Sequence, residues 1–212
     1  MQKILFPATS MPDPDWWQTL WPNPDATITA LGIRAGMEVV DLCCGDGYFT
    51  AAIARQVGTG HVIGFDLDPL MLEQARAVCR EATNCKWIEG DACDLSHIIS
   101  EKVDYVLIAN TFHGVPDPLA LAREVAAILK PRGRFTIVNW HPKPREDPPV
   151  LEQPRGPRTD MRMPPETVQS IVEPAGFQLE SVVELQPYHY GAVFVANPGM
   201  AKQQPTRFSG LT

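Results

Sequence analysis

From Met37 to Trp140, short apolar runs with a two-residue rhythm alternate with stripes spaced at three and four residues. The pattern predicts strands over 37–43, 61–66, 85–89, 103–109 and 133–140. Between them lie helical stripes: Phe49, Ile53 and Val57; Leu72, Ala75, Cys79 and Ala82; Leu119, Ala122, Val125 and Leu129. Alternation of this kind gives an α/β architecture, a mostly parallel sheet with helices on both faces. The run VDYVLIAN, 103–110, is almost continuously apolar, as a strand covered on both sides must be, and so belongs at the sheet's centre.

After residue 140 the rhythm breaks. Residues 142–165 are loaded with proline, which excludes a regular helix or an inner strand, and this stretch is assigned as a lid inserted after the fifth strand. Val168, Ile171, Val172 and Ala175 then mark a helix that Gly176 is placed to end. The runs FQLESVVEL and HYGAVFVA are too close together for a crossover helix, so they form an antiparallel hairpin at the sheet edge and raise the strand count to seven. Ahead of the first strand, Trp16, Trp17 and Trp21 cluster among prolines, as a helical cover over the sheet or a flap over a ligand. The expected organisation is one domain over 1–197, with the cover at 1–30, and a loose tail at 198–212.

The chain of 212 residues is long enough for one well-buried core. A formal net charge of -7 supplies no basic footprint for a nucleic acid backbone. No segment reaches the roughly 18 uninterrupted apolar residues of a membrane span, and MQKILFPATS lacks the apolar stretch of a secretion signal, so a cytoplasmic location is expected. The five cysteines show no Cys-x-x-Cys pair and are read as reduced thiols; no metal site is expected.

Chemistry concentrates in VVDLCCGDGYFT, residues 39–50. A strand, a glycine turn and a helix place main-chain N–H groups at a crevice beyond the strand's end, where open α/β sheets bind ligands. A phosphate reading needs GxGxxG spacing or a GK[ST] ending, and neither is present. Asp46 would also sit where a pyrophosphate must lie, whereas it can cap the following helix itself. Asp41, Asp66 and Asp91 close three successive strands, and Asp66 stands where such folds offer a carboxylate to ribose hydroxyls. The turn is therefore suited to a ligand with hydroxyls and a positive charge rather than a phosphate.

These residues resemble those of the class I S-adenosylmethionine-dependent methyltransferases, which have a Rossmann-like seven-stranded sheet. The resemblance is carried by VVDLCCGDGYFT, VIGFDLDPLMLEQAR, EGDACDL, VDYVLIANTFHGVPDP and ILKPRGRFTIVNW, over residues 30–140. It implies S-adenosylmethionine as cofactor. Gly45 and Gly47 would cradle its methionine part with Asp41 bracing them, and Asp66 would take the ribose hydroxyls. Leu67 would pack on the adenine, Asp91 and the Ala92 main chain would read its edge, and Asn110 through His113 would line the sulfonium and acceptor side. The family usually has glycine where this chain has Cys43, which narrows the cradle.

Methyl transfer asks mainly for positioning. Where the acceptor must lose a proton, His113 and His141 are the candidate bases, with His189 behind them. The Asn-Thr-Phe-His loop differs from the Asn-Pro-Pro-Tyr loop of enzymes acting on base amines and is similar to small-molecule methyltransferases, including those of quinone precursors and arsenite; the expected partner is a small-molecule acceptor. Arg145, Arg155, Arg158 and Arg162 in the lid are either recognition groups for an acidic substrate or solvated charge. The acceptor's identity and the oligomeric state stay open. Two alternatives also remain: a non-enzymatic cofactor-binding sensor or partner subunit, and a nicotinamide-dependent oxidoreductase, which would lack its Tyr-x-x-x-Lys pair.

Overall fold

A computed structural model describes residues 14–147, 149–185 and 187–197, leaving aside the side chains at 14–16, 149 and 150. The tail expected at 198–212, the first part of the cover and the Trp16 side chain lie outside the described residues. The predicted strands are present as β1 (Glu38–Leu42), β2 (His61–Asp66), β3 (Cys85–Glu89), β4 (Val103–Ala109) and β5 (Leu129–Trp140), followed by β6 (Phe177–Leu185) and β7 (His189–Ala196). They form one sheet in the order β3-β2-β1-β4-β5-β7-β6. β1 to β5 run parallel to their neighbours, and β7 pairs antiparallel with both β5 and β6, as the hairpin reading required. The strand order reverses beside β1, so β1 and β4 open a crevice at their carboxyl ends.

Alternate side chains on each strand enter opposite cores. Val40, Leu42, Val106 and Ile108 face one layer, whereas Val39, Tyr105 and Leu107 face the other. The first layer is covered by α6 (Pro118–Ile128) and α7 (Pro165–Val172), the second by α1 (Pro14–Leu20), α2 (Pro24–Ala30) and α3 (Tyr48–Val57). The phenol of Tyr105 is fully buried and satisfied, donating to the Leu31 carbonyl at 2.7 Å and lying 2.6 Å from Thr136 Oγ1. Two further helices, α4 (Pro69–Val78) and α5 (Leu95–Ile98), follow β2 and β3. Cys79 is buried at the end of α4 beyond Leu72 and Ala75, as its stripe predicts.

One boundary differs from the pattern reading. Leu129 was expected on a helix, but α6 stops at Ile128 and Leu129 pairs with Val103; pairing then skips to Arg134 opposite Tyr105. The intervening residues loop out through Arg132, whose φ is 64°, because Pro131 can neither continue the helix nor donate to the ladder. The Gly176 expectation holds: its φ of 94° ends the short 3-10 turn that follows α7.

Trp17, Leu20 and Trp21 are buried against α3, with the Trp21 and Phe49 rings 5.2 Å apart. Tyr48 donates its hydroxyl to the Trp21 carbonyl, and Arg55 grips Asp25 through two 2.9 Å bonds. Residues 17–30 thus pack against α3 and the sheet.

Candidate active site at the carboxyl end of the central strands

The turn after β1 contains three left-handed residues in five: Cys43 (φ 58°), Gly45 (55°) and Gly47 (84°). Glycine adopts this region freely, whereas Cys43 is strained there, a mark of a position held for a purpose. Gly45 donates its amide to Asp66 Oδ2 at 2.9 Å, and Asp68 donates to Asp66 Oδ1 at 2.9 Å, so one carboxylate ties β2 to the turn. Asp46, expected to cap α3, instead precedes the cap: Gly47 holds the N-cap position without a side-chain bond, and Asp46 accepts from the amide of the first helical residue, Tyr48, at 3.2 Å. At Gly47 a side chain would lie 2.9 Å from Cα and Cβ of Ala75, so its bareness lets α4 touch the turn, a packing reason that the sequence did not disclose.

Three acids surround this turn. Asp41 is 2% exposed and accepts the Thr50 hydroxyl at 2.5 Å. Burial pushes its carboxyl up to about 7, against the Thr50 bond, with the charges of Asp66 and Asp46 adding. Burial also raises Asp46 and Asp66. The Cys43 thiol is driven upward by burial and by Asp66, Asp41 and Asp91, so it stays a neutral thiol. Asp91 accepts from the Cys93 amide at 2.9 Å at the end of β3. Among the described residues no group of three or more His, Cys, Asp or Glu is arranged to hold a metal ion.

A cavity of about 460 Å³ opens above the turn, within the size range of small-molecule sites. It is lined by Asp41 and Cys43 through Asp46, by Asn110, Thr111 and His113, by aromatic residues including Trp17 and Trp140, and by residues of the 142–165 stretch. Of the residues singled out in the sequence, Asp41, Gly45, Asn110 and His113 meet here. Gly47, Asp66, Leu67, Asp91 and Ala92 flank the turn at the ends of β1 to β3 without lining this cavity.

Asn110 carries the sharpest signal. Its φ is 59°, and both polar atoms of its side chain are buried without a hydrogen-bond partner among the described residues. Unpaired buried amide groups are costly, so a cavity-lining residue that combines them with backbone strain is a candidate ligand contact. His113 Nδ1 lies 3.5 Å from Asn139 Oδ1, and burial lowers its pKa despite that contact, leaving the imidazole neutral at pH 7.

The other two histidines are placed differently. His141 is outside the cavity lining, with Nε2 3.0 Å from Glu184 Oε2 at the sheet edge. His189 is 1% exposed between Trp21 and Trp140, whose rings lie 4.4 and 4.2 Å away, and burial holds it neutral in the core. Pattern reading missed Trp140 and Tyr48 as cavity walls, because an aromatic at a strand end or helix start looks like ordinary core.

Residues 39–133 match the family model of a methyltransferase domain. Demethylmenaquinone methyltransferase of Staphylococcus aureus strain MRSA252 is 38% identical over 104 residues, 49% of this chain and 43% of the relative. The chain thus covers less than half the length of the curated relatives it matches. A SAM-dependent methyltransferase from Aquifex aeolicus shares the fold, with a TM-score of 0.73 and 24% identity over 86% of this chain and 93% of the other. So does Aeropyrum pernix fibrillarin with natively bound S-adenosyl-L-methionine, with a TM-score of 0.61 and 17% identity over 82% and 76% of the two chains. Motifs, strand order and family model agree over residues 39–133: this part of the chain matches a methyltransferase domain, and the sheet has the fold of the S-adenosylmethionine-dependent methyltransferases it resembles.

Proposed function

We propose that the protein catalyses methyl transfer from S-adenosylmethionine to a small-molecule acceptor by in-line displacement. The observation that carries this reading is the continuity of one cavity from the acid-lined turn at Asp41 and Gly45 to the unpaired Asn110 side chain and neutral His113. A turn carrying Asp41 and Asp46, with Asp66 behind it, suits a sulfonium cation and repels a diphosphate. The similarity to a demethylmenaquinone methyltransferase, the cavity's size and the acidic net charge support a small acceptor over a nucleic acid.

In this assignment the main chain at Gly45 and Gly47 holds the methionine end, with Asp41 bracing the turn. Asp66 receives the ribose hydroxyls on the lone pairs left free by Gly45 and Asp68. Leu67 packs on the adenine, and Asp91 with the Ala92 main chain reads its edge. When bound, the cofactor supplies an electrophilic methyl whose bonding pair returns to sulfur. Trp17, Trp140 and the lid exclude water, and Asn110 orients the acceptor. With its Nδ1 proton donated to Asn139 Oδ1, His113 keeps Nε2 as the lone pair that takes the acceptor's proton. His141 has no catalytic part in this scheme.

Calorimetric titration with S-adenosylhomocysteine and with NAD tests the reading. Binding of the thioether nucleoside alone is expected; binding of the dinucleotide alone would overturn the assignment and restore the oxidoreductase alternative.

A further inference from the structure

The roof of the cavity has a composition that methyl transfer by itself does not call for. Arg145, Arg155 and Arg158 all line it, together with Asp41 and Asp46. The arginine side is not free of acids: Arg145 and Glu146 both act on Arg162, and Arg158 pairs with Asp160. This roof is built. The buried guanidinium of Arg162 donates to the carbonyls of Pro157 (3.2 Å), Lys143 (3.0 Å) and Arg155 (3.0 Å) and lies 4.7 Å from the centre of the Trp140 ring. The Arg145 amide donates to Thr159 Oγ1 at 3.0 Å, which joins the lid's two arms. A side chain at Gly156 would come within 2.6 Å of Trp140, so the lid lies directly on that ring.

Arg145 and Arg158 differ in how they are held. Arg145 Nε is buried without a partner among the described residues, and Arg158 is engaged by Asp160 in an exposed pair at 2.9 Å. A guanidinium fork matches a carboxylate in plane and spacing, and a bound carboxylate can take over from an exposed one at little cost. The same cavity is also lined by the apolar side chains of Trp17, Trp140 and Met161. We infer that the methyl acceptor is a carboxylate on a flat apolar body, its acid group received by Arg145 and Arg158 and its body by Trp17 and Trp140. This rests on the methyl-transfer reading above and names the substrate class of that same site.

The test uses the full chain loaded with S-adenosylhomocysteine and titrated with 4-hydroxybenzoate and with phenol, which differ only in the carboxylate. The expected result is a Kd for the acid at least about tenfold lower than for phenol. Arg145→Met should abolish that difference while leaving the affinity for S-adenosylhomocysteine unchanged. Arg158→Met, at a side chain 76% exposed, reports the same contact without disturbing the lid's packing and should at least halve the preference. Equal affinities, no binding of the acid, or a preference untouched by both substitutions would overturn the inference. So would a loss of S-adenosylhomocysteine affinity in either variant, which would assign the arginines to the cofactor's own carboxylate. Failure of the unmodified protein to bind S-adenosylhomocysteine removes the methyl-transfer reading and this inference with it; binding without acid preference sinks this inference alone.

Discussion

The amide of Gly45 and the carboxylate of Asp66 are joined at 2.9 Å, so the turn after β1 is anchored to the end of β2. Asp66→Ala should therefore do two things. It strands two main-chain donors, costing roughly 1–3 kcal/mol of stability, and removes the ribose contact, weakening S-adenosylhomocysteine binding by about 10- to 100-fold. Asp66→Asn, which keeps an acceptor oxygen, should recover part of the stability. Urea unfolding and calorimetric titration of both variants check this; a variant that loses neither would show the anchor to be idle.

Asp41 makes stability depend on pH. Its carboxyl rises on folding to about 7, so the protonated form is favoured in the folded state. The sign follows: its contribution is fully present below the unfolded carboxylate range and is lost as pH rises through about 7. Asp41→Asn, which can still accept from Thr50, should match the parent near pH 4 and exceed it by roughly 2–4 kcal/mol near pH 8. Denaturation midpoints of the two proteins that stay parallel across this range would rule the effect out.

Asn110 trades stability for function. Glycine adopts a φ of 59° without strain and removes the two unpaired polar atoms. Asn110→Gly should raise stability by about 1 kcal/mol while lowering kcat/KM by at least about tenfold. A melting curve and a transfer assay on the same preparation decide it, since a merely structural asparagine would leave turnover intact.

His113 is held below the usual imidazole range by burial, so it should be a competent base at neutral pH and lose that role only in acid. Turnover is expected to climb to a plateau before pH 7. His113→Gln should flatten that limb and lower kcat by about 10²- to 10⁴-fold while changing S-adenosylhomocysteine binding little. Equal losses in binding and turnover would make it a positioning residue.

Much of this was legible in the chain. Strand and helix periods located every large element because each strand buries both faces or one, and the burial rhythm is written in the residues. The turn residues and the three strand-end acids were also visible, since glycine and aspartate have few reasons to recur at those places. Other features were hidden. The role of Gly47 depends on Ala75, 28 positions later, and no local pattern announces such an approach. The sequence put His113 and His141 ahead of His189 as bases, but the neighbours that separate His113 from His141, Asn139 and Glu184, and the tryptophans that enclose His189, come from distant parts of the chain. The left-handed Asn110 and the Leu129 pairing were equally beyond reach, because each is imposed by tertiary contacts.

Arg162 holds Lys143, Arg155 and Pro157 with one guanidinium. These part-buried bonds tie three separate points of the 142–165 stretch into one piece, so under the proposed methyl transfer product release would have to undo that clasp, and a slow step after the chemistry would trace to Arg162.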